Sequence, residues 1–184
     1  MQEMIDWLFV RYGRALALIM AAGSLLLVLL SMLMTQLWNL HGCYLCMFQR
    51  LLFLGIMLAL LIACWRWPQR GTTLAMLAIA LLISLWGVGV AVYQSWLQWF
   101  PQLELSCGTG SQNFMEVTVE WLGRLSPNLF MATGLCEDDD FKIFWLSLAN
   151  WAALSYLAIS AGCVGLLWAR AKSKQSISTQ GEGT

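Results

Sequence analysis

The chain has 184 residues, of which 60% are hydrophobic and 11% charged, and its formal net charge is zero. An apolar share this far above that of soluble domains places it in a membrane class. The lack of a basic excess excludes a nucleic-acid binder driven by phosphate neutralisation.

Charge-free stretches of about 20 residues are long enough to cross a hydrocarbon core of roughly 30 Å as helices. The first begins after the segment MQEMIDWLFVRYGR, which carries Arg11 and Arg14, and covers residues 15–37. Its apolar run is longer than the apolar core of a signal peptide, so a retained helix is expected, with Ala21-Ala22-Gly23 only a weak match to a cleavage site. The second span covers 46–65, the third 72–93 and the fourth 143–168. Pro68, Pro101 and Pro127 all fall outside these runs, as uninterrupted helices require. Eleven Trp and ten Met fit the same class, Trp at headgroup level and Met in irregular apolar packing. The expected fold is an all-α integral membrane protein, a bundle of four transmembrane helices forming one membrane domain over residues 1–184.

Orientation follows from the cations. Arg11, Arg14, Arg66, Arg70, Arg170, Lys172 and Lys174 fall on one side, against Arg50, Arg124 and Lys142 on the other. Both termini, including the tail 169–184, are therefore expected in the cytoplasm, and the loops 38–45 and 94–142 outside. Within the long loop, Phe114, Thr118, Trp121, Leu122 and Leu125 recur at helical spacing while Glu116, Glu120 and Arg124 take another face. This predicts a short helix lying in the membrane interface, with a strand through Val117-Thr118-Val119 as the weaker alternative. The run from Glu137 to Asp140 reads as a solvated acidic patch or as a seat for a partner.

Of six cysteines, Cys43, Cys46, Cys107 and Cys136 lie on the outer side, where disulfides persist. Cys64 and Cys163 sit near the cytoplasmic ends of the second and fourth spans and read as small buried hydrophobes. Cys43-Tyr44-Leu45-Cys46 has the spacing of redox-active dithiols. A helix starting near Cys46 puts that sulfur at a helix amino terminus, where the macrodipole favours a thiolate. Arg50 then lies one turn on, on the same face. A cation inside a span is costly unless it has a task, the competing role being a side chain that snorkels to headgroups. A thiolate beside a fixed cation at the lipid edge suits a lipid-soluble acceptor with carbonyl oxygens, a quinone. Cys107 and Cys136 flank a glycine-containing stretch that can fold back and pair them, either as a structural staple or as a second redox pair. Two pairs on one face favour exchange between them.

At these residues the sequence resembles the DsbB family of bacterial inner-membrane proteins. The likeness lies in the four spans, CYLCMFQR at the start of the second, the long outer loop with Cys107 and Cys136, and the basic tail. The resemblance implies a quinone-reducing protein-disulfide oxidoreductase that reoxidises a periplasmic DsbA-like thiol oxidase, the relay that keeps that compartment oxidising. It implies that Cys107 forms the mixed disulfide with the partner, that Cys136 then reacts with Cys43, and that Cys46 and Arg50 contact the quinone, ubiquinone or menaquinone. Gln49 stands where some members have Glu, and Ser95, after Tyr93-Gln94, near where some have His. The acidic run beside Cys136 should raise its thiol pKa and make it the poorer leaving group, which works against attack on Cys107.

A membrane metal-binding protein is the principal rival, with His41, Cys43 and Cys46 as three ligands of zinc or copper. No second His exists in the chain. A transporter is disfavoured by the lack of charge near any span's midplane.

Overall fold

The computed structural model describes residues 2–37, 43–99, 114–126, 142–143 and 146–181, and the side chains of 12–37, 43–99, 114–115, 117–126 and 147–172. Helix α1 runs Gln2–Leu37, α2 Tyr44–Trp65, α3 Arg70–Trp99 and α4 Phe114–Leu125. Strands β1 (Lys142–Ile143) and β2 (Leu146–Ser147) form a short antiparallel ladder, Lys142 opposite Ser147, and lead into α5, Leu148–Gly181. Four helices are long and apolar enough to span a membrane: Tyr12–Leu37, Tyr44–Trp65, Arg70–Trp99 and Leu148–Lys172. The chain is a four-helix membrane bundle.

In lipid every backbone polar group must be satisfied within the chain, so the spans are helices, and their outward faces stay apolar. Leu18, Ile19, Leu26 and Leu29 of α1 and Leu82, Leu85 and Trp86 of α3 point outward. Apolarity therefore does not mark the core here, and on α1 and α3 small residues recur among the buried positions. On α1 the run Ala17, Ala21, Ser24 and Val28 is buried. On α3 the run Thr73, Leu77, Ala80, Ser84, Gly87, Ala91 and Gln94 is buried, with Val90 and Leu97 buried beside it. Both sets step by alternating fours and threes, the 3.5-residue period of left-handed helix packing, and small side chains along them let the backbones approach. Ala149, Tyr156 and Cys163 repeat every seven residues on α5, each almost fully buried. Helix α2 lies between α1 and α3, and α5 closes the bundle against α3 and α1.

Three details lock the helices in register. Tyr156 stacks on Phe53 with centroids 4.2 Å apart and planes 7° apart, and its hydroxyl donates to the Gln49 carbonyl at 2.9 Å. The same ring lies so close to Gly87 that a Cβ there would meet it at 2.5 Å. Ser84 and Ser160 share a buried hydrogen bond of 2.8 Å between α3 and α5.

Helix ends differ from the sequence-based spans. Helix α2 begins at Tyr44, two residues before Cys46, because the chain turns at Cys43. Helix α3 continues to Trp99, six residues past Tyr93, since 94–99 holds no glycine, proline or charge to stop it. Helix α5 starts at Leu148 rather than 143, the preceding residues being used in the ladder. At the predicted cytoplasmic end, the Arg170 guanidinium sits 4.0 Å over the Trp67 ring and donates to the Trp67 carbonyl at 3.1 Å, while Arg70 donates to the Arg170 carbonyl. Cys64 and Cys163 are buried near this end, with Cys64 Sγ 3.8 Å from the Arg14 carbonyl.

The expected short helix is present as α4, and the strand alternative at Val117–Val119 is overturned. Its faces differ from expectation. Val119 is buried, with Met115 and Leu122 packed against the core, so Leu122 belongs to the inward face. Phe114, Val117, Trp121 and Leu125 form a second, outward apolar stripe, and Glu120 and Arg124 pair at 2.8 Å on the surface.

Candidate functional site

Cys43 is the N-cap of α2, in extended conformation, and Cys46 is three residues into it. An N-cap side chain and the third helical side chain face each other across the first turn, the geometry that capping boxes use. Here the two positions hold thiols. The sulfurs are 3.3 Å apart, a reduced pair already within reach of each other. Cys43 is buried, and Cys46 is partly buried.

Arg50 lies one turn beyond Cys46 and is only 4% exposed. Its Nε donates to Ser31 Oγ at 2.9 Å, and its Nη2 to the Ser31 carbonyl at 3.0 Å and to Thr35 Oγ1 at 2.5 Å. These acceptors all belong to α1, so the guanidinium is satisfied inside the bundle rather than by snorkelling to headgroups. Ser31 and Thr35 continue the α1 small-residue stripe by the same three-and-four step beyond Val28. The polar outer end of that stripe is what meets Arg50.

From α3, Gln94 lies on the corresponding stripe and reaches the thiols. Its Nε2 donates to Cys46 Sγ at 2.9 Å and lies 3.7 Å from Cys43 Sγ. Its Oε1 accepts from Gln49 Nε2 at 2.8 Å. Ser95, the neighbouring position, points elsewhere and donates to Asn150 Oδ1 on α5 at 2.7 Å.

These groups border one cavity of about 340 Å³ between α1, α2, α3 and the start of α5. Cys46, Gln49, Arg50 and Gln94 give it one polar side, while Leu27, Met34, Phe53, Trp151 and Ala152 make the rest apolar. The volume lies within the range of small-molecule sites, and an apolar chamber with a few convergent polar groups is their usual build. The donors suit a flat ring with carbonyl oxygens, and the apolar walls suit its hydrocarbon body.

Of the sequence-predicted site residues, Cys43, Cys46 and Arg50 are thus brought together, whereas Cys107, Cys136 and the acidic run 137–140 lie outside the described residues. So does His41, the third ligand of the metal reading. Among the described residues no group of three metal-ligating side chains collects. Sequence reasoning missed Ser31, Thr35 and Gln94, whose signal was the recurrence of small and polar residues at a 3.5-residue period.

Known proteins resemble the chain over most of its length. Residues 13–167 match the family model described as disulfide bond formation protein DsbB. A disulfide bond formation protein B of Dechloromonas aromatica is 38% identical over 148 residues, covering 80% of this chain and 87% of that protein. Its namesake in an Acidovorax species is 30% identical over 164 residues, covering 89% and 92%. That of Stutzerimonas stutzeri is 28% identical over 159 residues, covering 85% and 96%. These matches give the metal-binding alternative no support, and the chain belongs to the DsbB family.

Proposed function

We propose that this membrane disulfide oxidoreductase sits in the bacterial inner membrane with both termini cytoplasmic, reoxidises a periplasmic DsbA-like dithiol oxidase and delivers the electrons to a membrane quinone. The observation that carries the reading is the cavity in which Cys46, Arg50 and an apolar wall meet, with Cys43 Sγ 3.3 Å from Cys46 Sγ. A bound quinone, ubiquinone or menaquinone, supplies a two-electron, two-proton sink.

The residues divide the work as follows. Cys107 exchanges with the partner's disulfide-forming thiol and holds it as a mixed disulfide, and Cys136, released, attacks Cys43. The Cys43–Cys46 bond breaks, and the electron pair stays on Cys46. Position three of α2 places that sulfur against the positive end of the helix. Arg50, held by Ser31 and Thr35, adds a fixed cation on the same wall, and the apolar residues keep water from the reduced sulfur. The excess of Lys and Arg at the Arg14, Arg70 and Arg170 end supports the orientation.

Anaerobic mixing of the purified protein with a reduced DsbA-like protein tests the reading by thiol counting and quinone absorbance. Loss of two partner thiols per quinone reduced is expected. Partner thiols that stay reduced, or quinone absorbance that does not fall, would overturn it.

A further inference from the structure

The wall of the cavity contains two carboxamides that the relay above does not use. Gln49 and Gln94 are 6% and 3% exposed, on facing helices, and hydrogen-bonded to each other at 2.8 Å. Their order is directional: Gln49 Nε2 donates to Gln94 Oε1, which leaves Gln94 Nε2 facing the sulfurs. With both amides turned over, Gln94 Oε1 would oppose Cys46 Sγ, and a carbonyl oxygen repels a thiolate. Tyr156, bonded to the Gln49 carbonyl and stacked on Phe53, fixes the α2 turn that carries Gln49.

We propose that the Gln94 carboxamide is a catalytic hydrogen-bond donor to the Cys46 sulfur, and that Gln49 is the positioning residue that turns its N–H toward that sulfur. The proposal rests on the thiol-oxidase reading for the step it serves. In that step an incoming thiolate forms a bond to Cys43 Sγ while the Cys43–Cys46 bond breaks. The electron pair of the broken bond remains on Cys46 Sγ, and no other oxidant or reductant is consumed. Negative charge therefore appears on the sulfur that Gln94 Nε2 already meets at 2.9 Å. A preorganised donor aimed at developing charge lowers the barrier because it does not have to reorient as the charge forms. A better stabilised thiolate is also the better leaving group.

Gln94 complements Arg50 rather than repeating it. The guanidinium is anchored to α1 and the amide comes from α3, so the two approach the site from different helices. Among the described residues that line the cavity there is no Asp or Glu.

Isosteric changes test the idea in the full-length protein. Gln94→Glu keeps the shape but replaces the donor with an acceptor, and Gln49→Glu offers Gln94 Nε2 an acceptor that draws it off the sulfur. Gln94→Leu removes the donor outright. In a Cys43→Ser background, the Cys46-dependent ultraviolet absorbance of thiolate is followed against pH. Each of the three changes should shift the ionisation equilibrium against the thiolate by about tenfold, the loss of one hydrogen bond to a charged group. In the Cys43-containing protein each should slow quinone reduction by a similar factor and leave thermal unfolding of the two Glu variants close to the parent. A purely packing role predicts that the Glu variants retain the parent's thiolate titration, and that result would overturn the proposal. The titration needs neither partner nor quinone. A parent protein that fails to reduce quinone would therefore sink the oxidase reading without deciding the role of Gln94.

Discussion

Arg50 of α2 and Ser31 of α1 are joined twice, guanidinium Nε to the hydroxyl at 2.9 Å and Nη2 to the carbonyl at 3.0 Å. A side chain that carries a cation into a span is thereby tied to a second helix, and the tie fixes where the charge stands relative to Cys46. Removing the hydroxyls leaves donors of a buried cation without acceptors, which costs about 1–3 kcal/mol. Ser31→Ala combined with Thr35→Val should lower the thermal midpoint in detergent and weaken quinone dependence together. A double variant matching the parent in both measurements would show that Arg50 finds other acceptors at no cost.

How much of this was readable beforehand depended on contrast. The spans were legible because Arg50 is the one charge within them, and the Cys46 and Arg50 relationship because a four-residue step on a helix has one outcome. Gln94 and Ser31 were not read, since in lipid the outward face of a helix is as apolar as the inward one and hydrophobicity gives no face. Side-chain size carried the signal instead: Ala17, Ala21 and Ser24 on α1, and Ala80, Ser84 and Gly87 on α3, already mark the stripes that continue to Ser31, Thr35 and Gln94. The inward face of α4 was mistaken because both of its faces are apolar, and only packing assigns Leu122 to one and Trp121 to the other.

A Cβ added at Gly87 would meet the Tyr156 ring at 2.5 Å. A valine there must displace the ring, which also loosens the stack on Phe53 and the bond to the Gln49 carbonyl. Overpacking of this kind costs about 1–3 kcal/mol. Gly87→Val should lower the thermal midpoint, and Gly87→Val with Tyr156→Ala should recover part of the loss. Two penalties that simply add would mean the contact is relieved elsewhere.

Topology is checked with a membrane-impermeant thiol reagent on reduced cells or oriented vesicles. Cysteines 43, 46, 107 and 136 should react from the outer face alone, the first two slowly because Cys43 is buried and Cys46 partly so. Labelling of Cys107 only from the cytoplasmic side would reverse the orientation and remove the oxidase reading with it.

Partner capture separates a redox pair from a staple. Cys136→Ser leaves Cys107 as a lone thiol, which attacks the disulfide of the oxidised DsbA-like partner and frees that partner's second thiol; with no Cys136 to displace the partner again, a covalent adduct through Cys107 should accumulate. An adduct trapped by Cys107→Ser instead would mean that the acidic run at 137–140 has reversed the order of attack. No adduct in either variant would make the Cys107 and Cys136 pair structural.

Replacing Arg50 separates the quinone step from thiol exchange. The guanidinium borders the cavity beside Cys46 and is fixed by α1, so it opposes negative charge both on that sulfur and on a carbonyl oxygen taking up electrons. Lysine keeps the charge but has no planar fork to hold Ser31 and Thr35 at once, so Arg50→Lys should weaken quinone use partially. Methionine fills similar space without charge, and Arg50→Met should weaken it far more. Loss of a nearby cation that shifts ionisation by one pKa unit corresponds to roughly 1.4 kcal/mol, a tenfold change in the thiolate equilibrium. Exchange at Cys107 takes place in the outer loop and should change little. Steady-state turnover at varied quinone, set against single-turnover oxidation of the reduced partner, resolves the two steps. An Arg50→Met protein that is less stable but has the parent's quinone dependence would reduce Arg50 to a clamp between α1 and α2. The charge facing the quinone would then have to come from elsewhere on the cavity wall.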